Sequence, residues 1–184
     1  EKDGGKFKIS IPRGSYIANG FTSFVSELPM TCGMEITINE TNDLKTIDNV
    51  TERGYNMGII RYPISEEEFF NTRLKNNKLV QENIWEFEYV LVMSKDHPLA
   101  EKPELTVDDL KDYVEITHGD IDIPHAKNQT NGEAGKTASD KKTIYVYERG
   151  SQFDLVGNVP TTYMWVSRIP TSYLEKNNLV QRAG

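Results

Sequence analysis

The chain has a single cysteine, Cys32, so it cannot form an internal disulfide. It also lacks the spaced cysteine pairs that bind zinc. No apolar run approaches the roughly 20 residues that a membrane-spanning helix needs. The first residues do not show the pattern of a signal peptide. From these absences we expect a cytoplasmic protein, in a reducing compartment, with no membrane partner.

Positive charge is also scarce. The 184 residues carry a formal net charge of -7, and an acidic balance argues against nucleic acid as a partner of this stretch. Aromatic residues are plentiful by comparison, with nine Tyr, seven Phe and two Trp to fill a core. The length allows one domain, or two small lobes that share a hinge.

In the first half of the chain, short apolar strands alternate with amphipathic helices. Strands are predicted at Phe7–Ile11, Met34–Ile38 and Met57–Ile60, the last as a strand covered on both faces. One helix follows Ser15, a candidate N-cap, and a second ends at Gly54. This order of elements predicts parallel pairing with right-handed crossovers.

The second half repeats the same alternation. Glu66–Arg73 is a charged helical segment, and its acidic run is predicted to be solvated. A second, short helix is predicted to begin at Thr106, which with Asp109 three residues later nearly matches a capping box. Asp120 to Lys142 is nearly free of apolar residues and is interpreted as a surface loop. Further strands and helices are predicted at Val80 to Ser94 (extended), Tyr113–Thr117, Lys142–Tyr147, Gly150–Val156 (helix), Tyr163–Val166, around Leu174 (helix) and Leu179–Gln181.

Several segments in combination resemble a known family. The most recognisable is the apolar strand Val90–Ser94 followed by His97-Pro-Leu-Ala100. Others are Glu35–Thr41, the pattern Leu44, Val50, Gly54 and Tyr55–Ile60, and the short helix Val107–Tyr113. Together they resemble the effector-binding domain of LysR-type transcriptional regulators. Asn56 stands where that family usually has an acidic residue, and the family's helix-turn-helix is not in this sequence.

The resemblance implies an α/β fold of two Rossmann-like lobes joined by crossover strands, as in type 2 periplasmic binding proteins. Lobe I would comprise residues 1–88 and lobe II residues 89–184, with the family's C-terminal return to lobe I missing. A small effector would bind between the lobes, and DNA would be contacted only through a domain outside this chain. The resemblance also implies a homodimer built from the helices Ser15–Leu28 and Gly150–Val156, and it is compatible with a tetramer of the full-length protein.

The candidate effector-binding residues lie where strands end, because ligands of open α/β sheets bind beyond the carboxyl ends of strands. Helix N-termini at Ser15, Thr41 and Ser151 are expected to offer N–H groups to an anion. Arg13 or Arg61 is expected to clamp that anion, although either could instead be a surface arginine paired with a carboxylate. The effector-binding candidates at strand ends are Arg13, Gly14, Ser15, Thr41, Asn42, Arg61, Thr117 and His118. The resemblance implies that Thr161 and Thr162 face the same region.

Other functions have weaker support in the sequence. An extracytoplasmic solute-binding protein of a transporter has the same architecture and is the main alternative. An enzyme on this fold, such as a deaminase, needs a poised acid–base set, and neither that set nor a Cys32–histidine pair is indicated. His97, His118 and His125 lack metal-ligand spacing, so neither metal nor cofactor is predicted. Trp85 and Trp165 are expected to be core residues.

Overall fold

The computed structural model describes residues 5–29, 34–120 and 142–183. The chain divides into two compact units. Unit 1 comprises residues 1–13 and 17–85, and unit 2 comprises residues 14–16 and 86–184. Each unit has its own sheet. Across the described ranges, no helix is both long and apolar enough to cross a membrane.

Unit 1 is built on a three-stranded sheet in the order β2-β1-β3. Both neighbours of the central strand are parallel to it, which confirms the predicted parallel pairing. Helices α1 and α2 are the two crossovers, and a 3-10 helix at Ile64–Glu66 leads into α3. The elements are β1 (Lys6–Pro12), α1 (Ser15–Glu27), β2 (Glu35–Thr41), α2 (Asp43–Glu52), β3 (Met57–Gly58) and α3 (Glu67–Asn76).

The alternation along β1 explains how its two faces are used. Ile9 and Ile11 are buried on one face. On the other face, the hydroxyl of the fully buried Ser10 lies 3.0 Å from Thr46 Oγ1 and accepts a hydrogen bond from Asn49 Nδ2 at 3.1 Å. Because these buried polar atoms form hydrogen bonds with one another, α2 can pack on this face of the sheet without leaving them unpaired.

The predicted strand Met57–Ile60 is only partly confirmed. The strand is two residues long, and Met57 is 44% exposed, so it is not covered on both faces. The strand pairs with β1, which leaves it at the edge of the sheet. α2 covers it closely on one face: a Cβ added to Gly58 would lie 2.7 Å from Thr46 Cγ2.

The acidic run at the start of α3 is not uniformly solvated. Glu67 and Glu68 are exposed as predicted, whereas Glu66 is buried. Residues four apart lie on the same face of a helix, and Glu66 therefore shares the face of Phe70, which is fully buried and stacks on Tyr62 with ring centroids 4.4 Å apart.

Unit 2 contains a five-stranded mixed sheet in the order β6-β5-β7-β4-β8. β5 is parallel to β6 and β7, while β4 is antiparallel to β7 and β8. A 3-10 helix at Val107–Leu110 precedes β5. The elements are β4 (Val90–Ser94), β5 (Val114–His118), β6 (Thr143–Val146), α4 (Arg149–Asn158), β7 (Thr162–Val166), α5 (Thr171–Lys176) and β8 (Leu179–Ala183).

β4 forms the centre of the unit 2 core. Val90 and Val92 join one apolar cluster, and Leu91 and Met93 join a second cluster on the other face of the strand. The turn after β4 is held by the buried His97, whose Nδ1 accepts the N–H of Leu99 at 3.0 Å. This hydrogen bond gives the histidine of the His-Pro-Leu-Ala segment a structural role.

The two tryptophans differ in their surroundings. Trp165 packs against the second core cluster, as predicted. Trp85 is 50% exposed, so the prediction that it is a core residue is wrong. It lies in the stretch before β4 that has no helix or strand, although an extended run was predicted there. The predicted loop at 121–141, Cys32 and His125 lie outside the described residues.

Candidate functional site

Three charged residues follow the three parallel strands of unit 1. Arg13 comes directly after β1, Asp43 two residues after β2, and Arg61 three residues after β3. The carboxyl ends of parallel strands lie at one edge of a sheet, and this edge is where open α/β sheets bind ligands. Two of the three, Arg13 and Arg61, were predicted as effector contacts.

Hydrogen bonds connect the three strand-end segments. The backbone N–H of Arg61 donates to Asp43 Oδ1 at 2.8 Å. The Arg61 guanidinium donates from Nη2 to the backbone carbonyl of Arg13 at 3.1 Å. Arg61 is therefore fixed at its backbone and at its side chain by two different strand ends. We call the three residues Arg13, Asp43 and Arg61 the strand-end cluster.

The Asp43 carboxyl has an unusual proton affinity for an aspartate. Burial raises its pKa from 3.8 to about 6, and the hydrogen bond from the Arg61 N–H and the charges of Arg61 and Arg13 only partly oppose this effect. Desolvation disfavours the charged form, whereas a nearby cation favours it. Near neutral pH the carboxyl is mostly ionised, and it gains its proton within about one pH unit below neutrality.

The N-terminus of α2 contributes to the same edge. The helix begins at Asp43, and its N-cap is Asn42, whose side chain accepts the N–H of Lys45 at 2.8 Å. Thr41, predicted to be at the helix N-terminus, is instead the buried last residue of β2. The predicted cap was one residue early because Thr and Asn are both good N-cap residues.

The N-terminus of α1 is organised differently from the prediction. Ser15 is the first residue within the helix rather than the residue that precedes it, and its side chain is buried. Gly14 to Tyr16, including the two predicted contacts Gly14 and Ser15, group with unit 2. In that unit the Tyr16 ring meets Phe87 edge-on at 5.5 Å between centroids.

The structure does not bring together the four residues predicted in the second half of the chain. Thr117 and His118 lie at the carboxyl end of β5. Thr162 pairs with Val114 at the start of β5, and because β7 is parallel to β5 it lies at the opposite end, as does the preceding Thr161. The Thr162 side chain is fully buried and donates to the carbonyl of Val159 at 2.8 Å. Within unit 2, Thr161 and Thr162 therefore do not lie beside His118, and their role as effector contacts stays a prediction.

Two residues near the strand ends were not among the effector-binding candidates. For Asp43, a carboxylate two residues beyond a strand was a usable signal. Gly119, just after β5, lies so close to Tyr147 that an added Cβ would be 2.8 Å from the phenol ring. α4 begins at Arg149, and Ser151 falls inside its first turn rather than at its cap.

The chemistry available at the strand-end cluster is that of anion binding. Guanidinium groups bind carboxylates and oxyanions through charge-assisted hydrogen bonds, often as two parallel bonds. Within residues 5–29, 34–120 and 142–183, no group of three or more His, Cys, Asp or Glu could hold a metal ion.

The parallel sheet of unit 1 and the mixed sheet of unit 2, each combined with helices, define the class of the protein as α/β. The LysR substrate binding domain family matches residues 32–124, half of the chain. The chain belongs to this family, the effector-binding regulatory domains of LysR-type transcriptional regulators. A search of curated protein sequences gives no significant match.

Solved structures show the same fold. The effector-binding domain of QuiR in complex with shikimate is 17% identical, with a TM-score of 0.61 over 98% of this chain and 80% of that one. A transcriptional regulator from Vibrio parahaemolyticus is 17% identical, with a TM-score of 0.64 over 100% and 80%. A sulfate-bound mutant of the OxyR2 regulatory domain from Vibrio vulnificus is 12% identical, with a TM-score of 0.58 over 98% and 81%. These matches confirm the predicted periplasmic-binding-protein-like fold class.

Proposed function

We propose that this domain senses a small anionic effector, which it binds at the strand-end cluster of unit 1. The observation that carries the proposal is the fixed position of Arg61, whose N–H is bonded to Asp43 and whose guanidinium is bonded to the Arg13 carbonyl. A guanidinium fixed in advance loses little side-chain entropy when a ligand binds. Arg13 and Arg61 are the proposed contacts.

The local charge supports this choice of effector. The whole chain is acidic, with a net charge of -7, yet the cluster combines two arginines with a single carboxyl whose pKa is about 6. A positive site on a negative protein selects anions at that site and repels them elsewhere. Among the structural neighbours, QuiR was solved with shikimate, which is a carboxylate at neutral pH, and the OxyR2 mutant with sulfate.

The proposed output of binding is transcriptional. We propose that the effector biases the arrangement of a homodimer in the cytoplasm, while DNA is contacted by another part of the regulator. Helix α1 is the proposed dimer surface in unit 1. Phe24 on this helix is 50% exposed, and large exposed apolar side chains mark interaction surfaces when they cluster. Phe21 lies beside it, with ring centroids 6.2 Å apart.

A thermal-shift screen tests the proposed effector class. Carboxylates, phosphates and sulfate are compared with neutral and cationic compounds of similar size. An anion present at 100 times its dissociation constant is expected to stabilise the protein by about 2.7 kcal/mol. Stabilisation by neutral or cationic compounds alone would refute the anion proposal. Arg61→Ala should lose this stabilisation. Arg53→Ala, at the exposed C-cap arginine of α2 in the same unit, is the matched control because it changes the net charge equally.

A further inference from the structure

The charge balance of the strand-end cluster depends on one carboxyl group. Around Asp43 the neighbouring elements supply Arg13 after β1, Glu40 in β2, Arg61 after β3, and Lys45 and Asp48 on α2 itself. The charges of Arg61 and Arg13 act on the Asp43 carboxyl and favour its ionised form. Asp48 is engaged elsewhere, in an ion pair with Arg73 at 3.1 Å.

Protonation of Asp43 changes what an arriving anion meets. With the carboxylate ionised, two guanidinium charges are opposed by one negative charge. With the carboxyl neutral, that negative charge is no longer present beside the two guanidinium groups. A second anion near a buried carboxylate raises the proton affinity of that carboxylate, because like charges in a poorly solvated place disfavour one another. Anion binding and proton binding therefore favour each other at this cluster.

We propose that binding of an anion at the strand-end cluster is accompanied by uptake of one proton from solvent by the carboxyl group of Asp43. This inference rests on the proposed function and adds a pH response to it. The proton bonds to one carboxylate oxygen and the charge of the side chain goes from negative to neutral. The other oxygen continues to accept the Arg61 N–H, so the link between the strand ends is kept.

The proton coupling predicts a definite pH dependence of affinity. The apparent dissociation constant is the intrinsic one divided by the fraction of protein in the binding-competent form. For a carboxyl with a pKa of about 6, the neutral fraction rises on the order of 20-fold between about pH 7.5 and about pH 5.5. Anion affinity should therefore increase as the pH falls, by about 20-fold at most.

Isothermal titration calorimetry with sulfate tests the coupling, because sulfate stays a dianion throughout this pH range. Titrations near pH 7 in Tris, HEPES and PIPES give the number of protons exchanged, as the slope of the observed enthalpy against the ionisation enthalpy of the buffer. The wild-type domain is expected to take up between about half and one proton per sulfate. Asp43→Asn, which keeps an oxygen acceptor for the Arg61 N–H, should bind sulfate with no such uptake and with pH-independent affinity.

The outcomes separate this inference from the proposed function. Sulfate binding that Arg61→Lys weakens, but that takes up no proton in the wild type, overturns the inference and leaves the proposed function standing. The same is true if Asp43→Asn takes up as many protons as the wild type. Asp48→Asn is the matched control on α2 and should retain the uptake. If neither sulfate nor any anion of the thermal-shift screen binds, both the proposed function and the inference are wrong.

Discussion

Asp43 accepts the backbone N–H of Arg61 at 2.8 Å, across 18 positions of the sequence. This hydrogen bond joins the start of α2 to the segment after β3. The Arg61 guanidinium extends the link to the Arg13 carbonyl after β1. The edge of unit 1 where ligands of such sheets bind is thus fixed by one aspartate and one arginine, before any effector arrives.

Arg61→Lys should weaken anion binding. A lysine keeps the charge and the backbone N–H that donates to Asp43, but it loses the planar fork and the fixed bond to the Arg13 carbonyl. A hydrogen bond between charged groups is worth roughly 1.5–3 kcal/mol, so the dissociation constant for sulfate should rise by about 10-fold or more. Calorimetry measures the change. An Arg61→Lys variant that binds as tightly as the wild type would show that Arg61 is not a contact.

Asp43→Asn should stabilise the protein at neutral pH. The folded-state pKa of Asp43, about 6, is above its ordinary value of 3.8, so the folded state binds the proton more tightly and stability falls as pH rises from about 4 to about 6. The loss is on the order of 3 kcal/mol at most. Thermal unfolding should give a higher Tm for the variant near pH 7 and nearly equal values near pH 4. A destabilised variant at neutral pH would contradict the raised pKa.

Asp109→Ala should destabilise unit 2 at neutral pH. The Asp109 carboxylate forms an ion pair with Lys102 and accepts the N–H of Thr106 at 2.9 Å, and these contacts lower its pKa from 3.8 to about 2. The stabilisation is complete above about pH 4 and is lost as the pH falls toward 2. The Tm difference from the wild type should shrink over that range. Asp108→Ala, at the exposed neighbouring carboxylate, is the control.

The sequence predicted most elements of the fold, because each strand alternates or is continuously apolar and each helix has an apolar face. It also predicted the capping at Thr106 and Asp109, a local contact between residues three apart. It did not predict that Glu66 is buried or that Trp85 is half exposed. Those outcomes depend on which neighbouring element covers a residue, and a single sequence does not specify this.

The candidate site was predicted unevenly for the same reason. Strand ends could be read from the pattern, so Arg13, Asn42 and Arg61 were selected. Asp43 was overlooked because its partner is 18 residues away and its burial comes from tertiary packing. The sequence pattern alone did not show at which end of the unit 2 sheet Thr161 and Thr162 lie, because this depends on the parallel pairing of β7 with β5.

Phe24→Glu should dissociate the proposed homodimer and leave the fold intact. Phe24 is 50% exposed, so a carboxylate there is solvated in a monomer but would be buried in an apolar interface. Light scattering at micromolar concentration gives the mass, and circular dichroism reports the fold. Thr22→Glu is the control, because position 22 is exposed and lies about 200° around α1 from position 24. A wild-type protein that is strictly monomeric would refute the dimer proposal.

The most direct test of the account is where an anion binds. A ¹H–¹⁵N spectrum of the labelled domain, titrated with sulfate or with the most stabilising carboxylate of the screen, reports each backbone amide separately. If the anion binds at the strand-end cluster, saturable shifts should centre on Arg13, residues 42–45 and residues 59–62, and should weaken in the Arg61→Lys variant. Saturable shifts that spare all three segments and persist in that variant would contradict anion binding at the strand-end cluster.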